Sequence, residues 1–436
     1  MTDIPASPTG KAPGADGATT GFDALILDAG SRQSLVAARS LGRAGLRLAL
    51  GECFAECDPD LPVIGFKSRY CARSVVLPSY ATDAEAFATG VIEFVSEHPT
   101  RVVIPGSDGA IAALMPVREQ LAALGSTLAL AAEAELKIAN DKDLTLEIAR
   151  GLGIDYPKSM VISDVDEIPE LLAGFDFPIV LKPTTSWAPN STVRLQAVEV
   201  IDEAEARTAI DRLLGAGVHV VAQQWVGGDR EAFMMFVVDG EVHASIAQVA
   251  HRTTPALGGA SVIRESTPMP PEIYASSVSL VKAIGLDGLC EVEYRRDLSN
   301  HPYLMEINAR LAGTLENAVR AGVDFPLLLW QWATGQPVDR IDSYRTGVRS
   351  RWLRGDMRWL RDNSRRAGRP DSLPKGRALW TFATEFIRTR HYDCLDLGDL
   401  GPFFAEARIT LASVRRSRAA SPAAGGAAYK GANDVG

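Results

Sequence analysis

The sequence predicts a protein of mixed α/β and α+β architecture, divided into several domains. Three observations carry that reading. At 436 residues the chain exceeds one ordinary core, since a domain holds roughly 100 to 200 residues. The segment 22-FDALILDAGSRQSLVAARSLGRAGLRLALGE-52 runs apolar strand, glycine turn, amphipathic helix, strand. Much later, 288-GLCEVEYRRDLSNHPYLMEINAR-310 alternates apolar and polar residues on either side of a polar turn, as two antiparallel strands do.

Taken in order, residues 1–20 are rich in Pro, Gly, Ala and Thr with no apolar core, which suits a flexible tail and not a signal peptide. Residues 21–135 hold the first α/β domain, with further short apolar strands in "SVVLP" (74–78) and "RVVIPGSDG" (101–109). Its first turn reads "AGSRQS", so the GxGxxG fingerprint of dinucleotide binding is absent. Residues 136–226 form a second unit. In it "NDKDLTLEIARGLGIDYPKS" predicts a helix capped by Asn140 or Asp141 with Leu144, Ile148 and Leu152 on one face, ended by Gly153 and Pro157. "FPIVLKP" and "VRLQAVEV" follow as antiparallel strands around the glycine-free loop 184–192, "TTSWAPNST". Residues 227–343 open with a hairpin turned at Asp239-Gly240. Residues 344–412 form a basic, Arg- and Trp-rich helical extension, read as a packed helix with a membrane-surface or RNA element as the rival, and 413–436 a second tail.

Composition narrows the function. The net charge of −9 argues against a nucleic-acid binder, whose phosphate contacts need concentrated basic surface. No stretch approaches the roughly 18 apolar residues of a membrane span, so the expectation is a cytoplasmic protein with no membrane partner. Cysteines 53, 57, 71, 290 and 394 are odd in number and lack CxxC spacing, which suits reduced thiols; a metal pair at Cys53 and Cys57 is the weaker alternative.

The chemistry concentrates in the second of those late strands. Side chains alternate across a strand, so Glu306, Asn308 and Arg310 share one face and Met305 and Ile307 the other. Glu291 and Glu293 likewise share a face, opposite Cys290, Val292 and Tyr294. A hairpin turned at "DLSNHP" brings these carboxylates together, and like charges demand a cation between them. Magnesium suits the demand, binding through one or two carboxylates and substrate phosphates. The competing reading is a surface hairpin whose charges face water.

This stretch, through "LAGTLENAVRAGVDFP", resembles the closing signature of the ATP-grasp superfamily, in particular its carboxylate-amine ligases, and the resemblance covers roughly residues 21 to 345. It implies an ATP-grasp fold: a Rossmann-like pre-ATP-grasp domain, a small lid subdomain (136–226), a metal-binding subdomain (227–343) and a C-terminal helical extension. By the same similarity Glu293, Glu306 and Asn308 would hold two magnesium ions, with manganese as a substitute. Arg310 would face the transferred phosphoryl group, and Lys142 and Lys182 would contact ATP. Gln223, Gln224, Trp225 and Val226 would read adenine at the hinge and Glu231 the ribose. A glycine-rich mobile loop is usual after the second lysine; here "TTSWAPNST" stands instead.

For the other substrates, Arg252 and Arg264 could each fork a carboxylate, Gly313 and Thr314 could donate to an oxyanion, and Ser107 and Asp108 could wall the pocket. The implied activity is ATP-dependent joining of a small-molecule, amino acid-like carboxylate to an amine, with a homodimer allowed. Two alternatives stay open: phosphorylation or carboxylation without an amine acceptor, and non-catalytic nucleotide binding.

Overall fold

The computed structural model describes residues 21–53, 61–184, 197–255, 259–366, 369 and 372–419. The tail 1–20, Cys57, residues 185–192 of the loop with Trp187, and the tail from 420 onward lie outside the described residues.

Strands β1 (Phe22–Ile26), β2 (Leu48–Cys53), β3 (Cys71–Leu77), β4 (Thr100–Ile104) and β5 (Thr127–Leu128) form a parallel sheet in the order β3-β2-β1-β4-β5. Such a sheet is covered on both faces, which is why Ala24, Leu25, Ile26, Val102 and Val103 form runs without alternation, all fully buried. The order reverses between β1 and β4. The loops after those strands therefore flank a crevice at the sheet's carboxyl edge.

Strands β6 (Ser159–Ile162), β7 (Ile179–Pro183), β8 (Val198–Val200) and β9 (Val220–Gln224) make a small antiparallel sheet in the order β6-β9-β7-β8. Ile179 and Leu181 pack with Leu171, Ile210 and Leu213 of the helices on one face, so Val180 and Lys182 turn to the other. Just before this sheet, Asp141 caps the helix Lys142–Gly151 by accepting the N–H groups of Asp143 and Leu144, at 2.9 and 3.1 Å, and so fixes Lys142 in its first turn.

The largest sheet contains β10 (Arg230–Val238), β11 (Glu241–Thr254), β12 (Ala260–Thr267), β13 (Gly288–Arg296), β14 (Pro302–Asn308), β15 (Arg349–Arg351) and β16 (His391–Tyr392), ordered β14-β13-β10-β11-β12-β15-β16. Asp239 and Gly240 turn the β10-β11 hairpin with positive φ at both residues, 52° and 74°, as a two-residue primed turn requires. One face of the sheet is sealed by Phe233, Met235, Cys290, Val292 and Tyr294 against the helix Pro271–Ile284. The other is apolar only in part, where Met234, Phe236 and Ile246 meet Leu311, Leu315 and Phe325. Its remainder carries the polar residues of the site.

The basic extension packs. Trp352 and Trp359, at the start and middle of the helix Leu353–Arg365, are 2% and 5% exposed, and Arg252 stacks on Trp359 at 4.1 Å. The last helix runs Gly401–Ala419, past residue 412. Arg39 clamps the extension to the first domain through Asp399, at 2.9 Å, and through the carbonyls of Asp393 and Cys394. Among the described residues no helix is long and apolar enough to cross a membrane, and Cys53, Cys71, Cys290 and Cys394 are free thiols.

Candidate active site

Strand register assembles the site. In the β13-β14 pair Glu293 stands opposite Glu306 and Glu291 opposite Asn308. Glu293 also pairs with Ala232 of β10, so all these side chains leave the sheet on the face that carries Arg230. The register slips by one residue after Glu293, pairing Tyr294 with Leu304. Met305, expected on the buried face, lines the cavity instead, because a bulge re-aims the side chain it carries.

A cavity of about 590 Å³ lies between the small sheet and this face. Lys142, Lys182, Gln223, Gln224, Trp225 and Val226 line it together with Glu293 and Glu306. Lys182 Nζ donates to Gln223 Oε1 at 2.7 Å, and Lys142 Nζ lies 3.8 Å from Glu306 Oε2. The Gln224 side chain is spent on the carbonyl of Asp176, at 2.7 Å, and its backbone N–H on the carbonyl of Lys158, at 2.8 Å. Trp225 is stacked under the Arg295 guanidinium at 4.3 Å, which holds an aromatic wall in place.

Charge is dense here and sets the protonation of each group. Burial lowers the Lys182 ammonium to about 8, helped by the neighbouring Lys142. Burial also acts to raise the Glu306 carboxyl, but Lys142, Lys182, Arg230 and Arg310 together hold it below the usual carboxylate range. Glu291, deeper in the sheet, is pushed up to about 8 by burial and then by the charge of Glu293; it accepts the hydroxyl of Thr314.

Comparison with known proteins agrees with this geometry. A family model described as ATP-grasp in the biosynthetic pathway with Ter operon matches residues 238–355, which include both acidic strands. The chain is 23% identical over 247 residues to the D-alanine–D-alanine ligase of Anaplasma marginale (strain Florida), covering 52% of this chain and 65% of that protein. It is also 23% identical over 199 residues to the carbamoyl phosphate synthase arginine-specific large chain of Cutaneotrichosporon cutaneum, covering 44% and 16%. The alignments thus span less than two thirds of either relative. Among solved structures, an L-amino acid ligase from Bacillus licheniformis superposes with a TM-score of 0.54 at 20% identity, over 72% of this chain and 74% of that one. The ADP complex of N5-carboxyaminoimidazole ribonucleotide synthetase gives 0.57 at 15% identity, over 84% and 96%. Identities this low speak for the fold. The fold is the ATP-grasp fold, and residues 238–355 carry the family match.

The donor set of this site fits a hard divalent cation. Among the described residues no cluster of three or more His, Cys, Asp and Glu side chains forms a self-sufficient metal cage. Two opposed carboxylates and an amide leave coordination positions for phosphate and water, as magnesium prefers. The Glu306 side chain is 31% exposed, and Asn308 Nδ2 donates to Glu293 Oε1 at 3.3 Å.

Other expected residues lie elsewhere. Glu231 does not line the cavity: alternation along β10 turns it to the opposite face from Arg230, where Arg296 donates to it through Nε at 2.9 Å and to Glu272 through Nη2 at 2.8 Å. Arg264 is fully buried and committed to Asp393, Ser350 and the carbonyls of Ser261 and Gly313, so it has no fork left for a substrate. Arg252 does reach the cavity, but Asp356 takes its guanidinium at 2.8 and 3.0 Å. Ser107 caps the helix Asp108–Leu114 and donates to the Tyr80 hydroxyl at 3.2 Å. Asp108 binds Arg310. The Thr314 hydroxyl is committed to Glu291 and the Gly313 carbonyl to Arg264.

Sequence reasoning passed over Arg230, one residue before Glu231, and with it Arg295, Trp359, Ser372 and Leu373, which all line the cavity. The signal for Arg230 was present: β10 alternates, and whichever of two adjacent charged residues shares the parity of Ala232 must face Glu293.

Proposed function

We propose that the chain is an ATP-dependent carboxylate-amine ligase that releases ADP and phosphate. The observation that carries this reading is Glu293 opposed to Glu306 across two strands, at a cavity whose other wall presents Lys142 and Lys182. ATP would lie with its base against Trp225 and Val226 and its phosphates towards Lys182, whose stem is held by β7. Glu293, Glu306 and Asn308 would hold magnesium, or manganese in its place, which when bound neutralises phosphate oxygens.

A carboxylate is a poor acyl donor, so it must first be activated. A substrate carboxylate oxygen attacks the γ-phosphorus in line; its O–P bond forms as the bond to the β-phosphate oxygen breaks, giving an acyl phosphate and ADP. The amine then attacks the acyl carbon, loses a proton, and expels phosphate. Arg310, whose positive charge Asp108 secures, would stabilise the anion that develops. Closure of the small sheet over the cavity would keep water from the acyl phosphate. The likeness to an L-amino acid ligase and to D-alanine–D-alanine ligase supports amino acid-like substrates.

The test is ADP release measured over a panel of amino acids and small acids, singly and in pairs. The ligase reading expects release that needs both an acid and an amine, with the amide found by mass spectrometry. Release with one acid and no amine selects the phosphorylating or carboxylating alternative. No release with any pair, despite tight nucleotide binding, selects a binding protein.

A further inference from the structure

Arg230 was not expected at the site, yet it is held there by two partners. Nε donates to Glu293 Oε2 at 2.9 Å, Nη2 reaches the same oxygen, and Nη1 donates to the carbonyl of Gly259 at 2.6 Å. The pair is well buried, with side chains 18% and 12% exposed. Burial acts against the guanidinium's charge, but Glu293 and then Glu306 more than offset it and hold its pKa above the ordinary arginine value. Glu306 is the opposite case: its nearest cation, Lys142, is 3.8 Å away, and its side chain is 31% exposed. The two opposed carboxylates are therefore unequal. One is open and one is guarded.

We propose that Arg230 gates Glu293, so that a divalent cation gains this ligand only when a nucleotide phosphate draws the guanidinium away. The inference rests on the reading of the site as a metal-nucleotide centre. Glu293 Oε2, which already accepts two N–H groups from one guanidinium, cannot also sit the roughly 2.0–2.1 Å from magnesium that its coordination demands, and Oε1 already accepts Asn308 Nδ2 at 3.3 Å. A metal and a guanidinium on one carboxylate oxygen would repel. Arginine leaves such a fork only for another anion of matching geometry, and phosphate is one. When the guanidinium moves to phosphate and the metal moves to Glu293, every charge keeps a partner. Either move alone strands a buried charge, which is costly. Metal and nucleotide should thus bind with positive coupling, and the coupling should pass through Arg230. Glu306 remains available to a metal at all times, so the protein alone keeps a weak site.

Titration of the full-length protein with Mn2+, following free Mn2+ by electron paramagnetic resonance, tests this with and without a non-hydrolysable ATP analogue. The wild-type protein should bind Mn2+ alone weakly and about tenfold or more tighter with the analogue, within the usual range of coupling between sites. R230Q, which keeps a polar side chain but no charge, should bind Mn2+ alone about tenfold tighter than wild type and show little further gain from the analogue. R230K retains charge without the fork and should fall between them; if R230Q does not fold, judged by circular dichroism, R230K against wild type decides. Equal affinity for Mn2+ alone in wild type and variant overturns the gate and leaves the metal site standing. Absence of Mn2+ binding in every protein, even with the analogue, overturns both.

Discussion

Asp108 of the first domain and Arg310, two residues beyond the end of β14, form a two-armed ion pair, with Nε 2.6 Å from Oδ1 and Nη2 3.2 Å from Oδ2. The pair ties the strand that bears Glu306 and Asn308 to the crevice at the carboxyl edge of the parallel sheet. Although burial opposes its charge, Asp108 raises the Arg310 pKa well beyond titration. On the proposed function, Asp108 would act through the arginine and not on a substrate. Asp108→Asn should lower the rate of ADP release about tenfold, the lower end of what an outer partner of a reactive group contributes, with nucleotide affinity little changed. Stability should fall by no more than about 1 kcal/mol, since Asp108 is 35% exposed and water screens the pair. Unchanged turnover would remove Asp108 from the mechanism.

Glu306→Gln preserves shape and removes the open carboxylate charge. ADP release should fall on the order of 100-fold or more, while the melting temperature stays near that of the wild type. The carboxylate is held in a crowd of cations and not in the apolar core, which is why the fold should tolerate its loss. A variant that turned over normally would refute the role given to this residue.

How far the site could be read from sequence depends on the range of the contacts involved. Alternation within a strand is local, so the common face of Glu291, Glu293, Glu306 and Asn308 was legible, and so was the Asp239-Gly240 hairpin. Met305 was misplaced because a bulge is a property of the pair of strands and leaves no mark in either one. Glu231 was named for ribose by the family resemblance alone, without regard to the parity of the strand, and Arg230 beside it was passed over. Arg264 failed for another reason: its partner Asp393 lies 129 residues further on, and nothing near either residue announces the other. The basic extension was read as a packed helix with a membrane-surface or RNA element as the rival, and Trp352 packs on Val262 and Ile263 of β12 while Trp359 stacks with Arg252 of β11.

Lys182 gives the site a pH dependence of known sign. The folded protein releases this proton near 8, against an ordinary value of 10.5, so between those values the unfolded chain binds more protons and the contribution to stability rises with pH. Nucleotide binding should run the other way, because phosphate needs the charged ammonium. Affinity for ATP should fall about tenfold between pH 7 and pH 9, and Lys182→Arg should flatten the profile by keeping its charge throughout. Isothermal titration at the two pH values checks both. A flat wild-type profile would mean that the ammonium does not touch phosphate.

Arg264 separates a structural role from a substrate role. Its guanidinium is fully buried among Asp393, Ser350 and two carbonyls, so Arg264→Met removes its donors from Ser350 and the Gly313 carbonyl and leaves Asp393 and the Ser261 carbonyl to Arg32. Breaking a buried pair from one side typically costs roughly 3–5 kcal/mol, most of it the penalty on the charge left behind. The expected result is a large drop in melting temperature, with KM for the acid substrate unchanged when turnover is assayed well below the transition. A substrate-binding arginine would show the reverse: a normal melting temperature and a KM raised by its missing fork. Because the two outcomes move different observables, one variant assayed both ways assigns the residue.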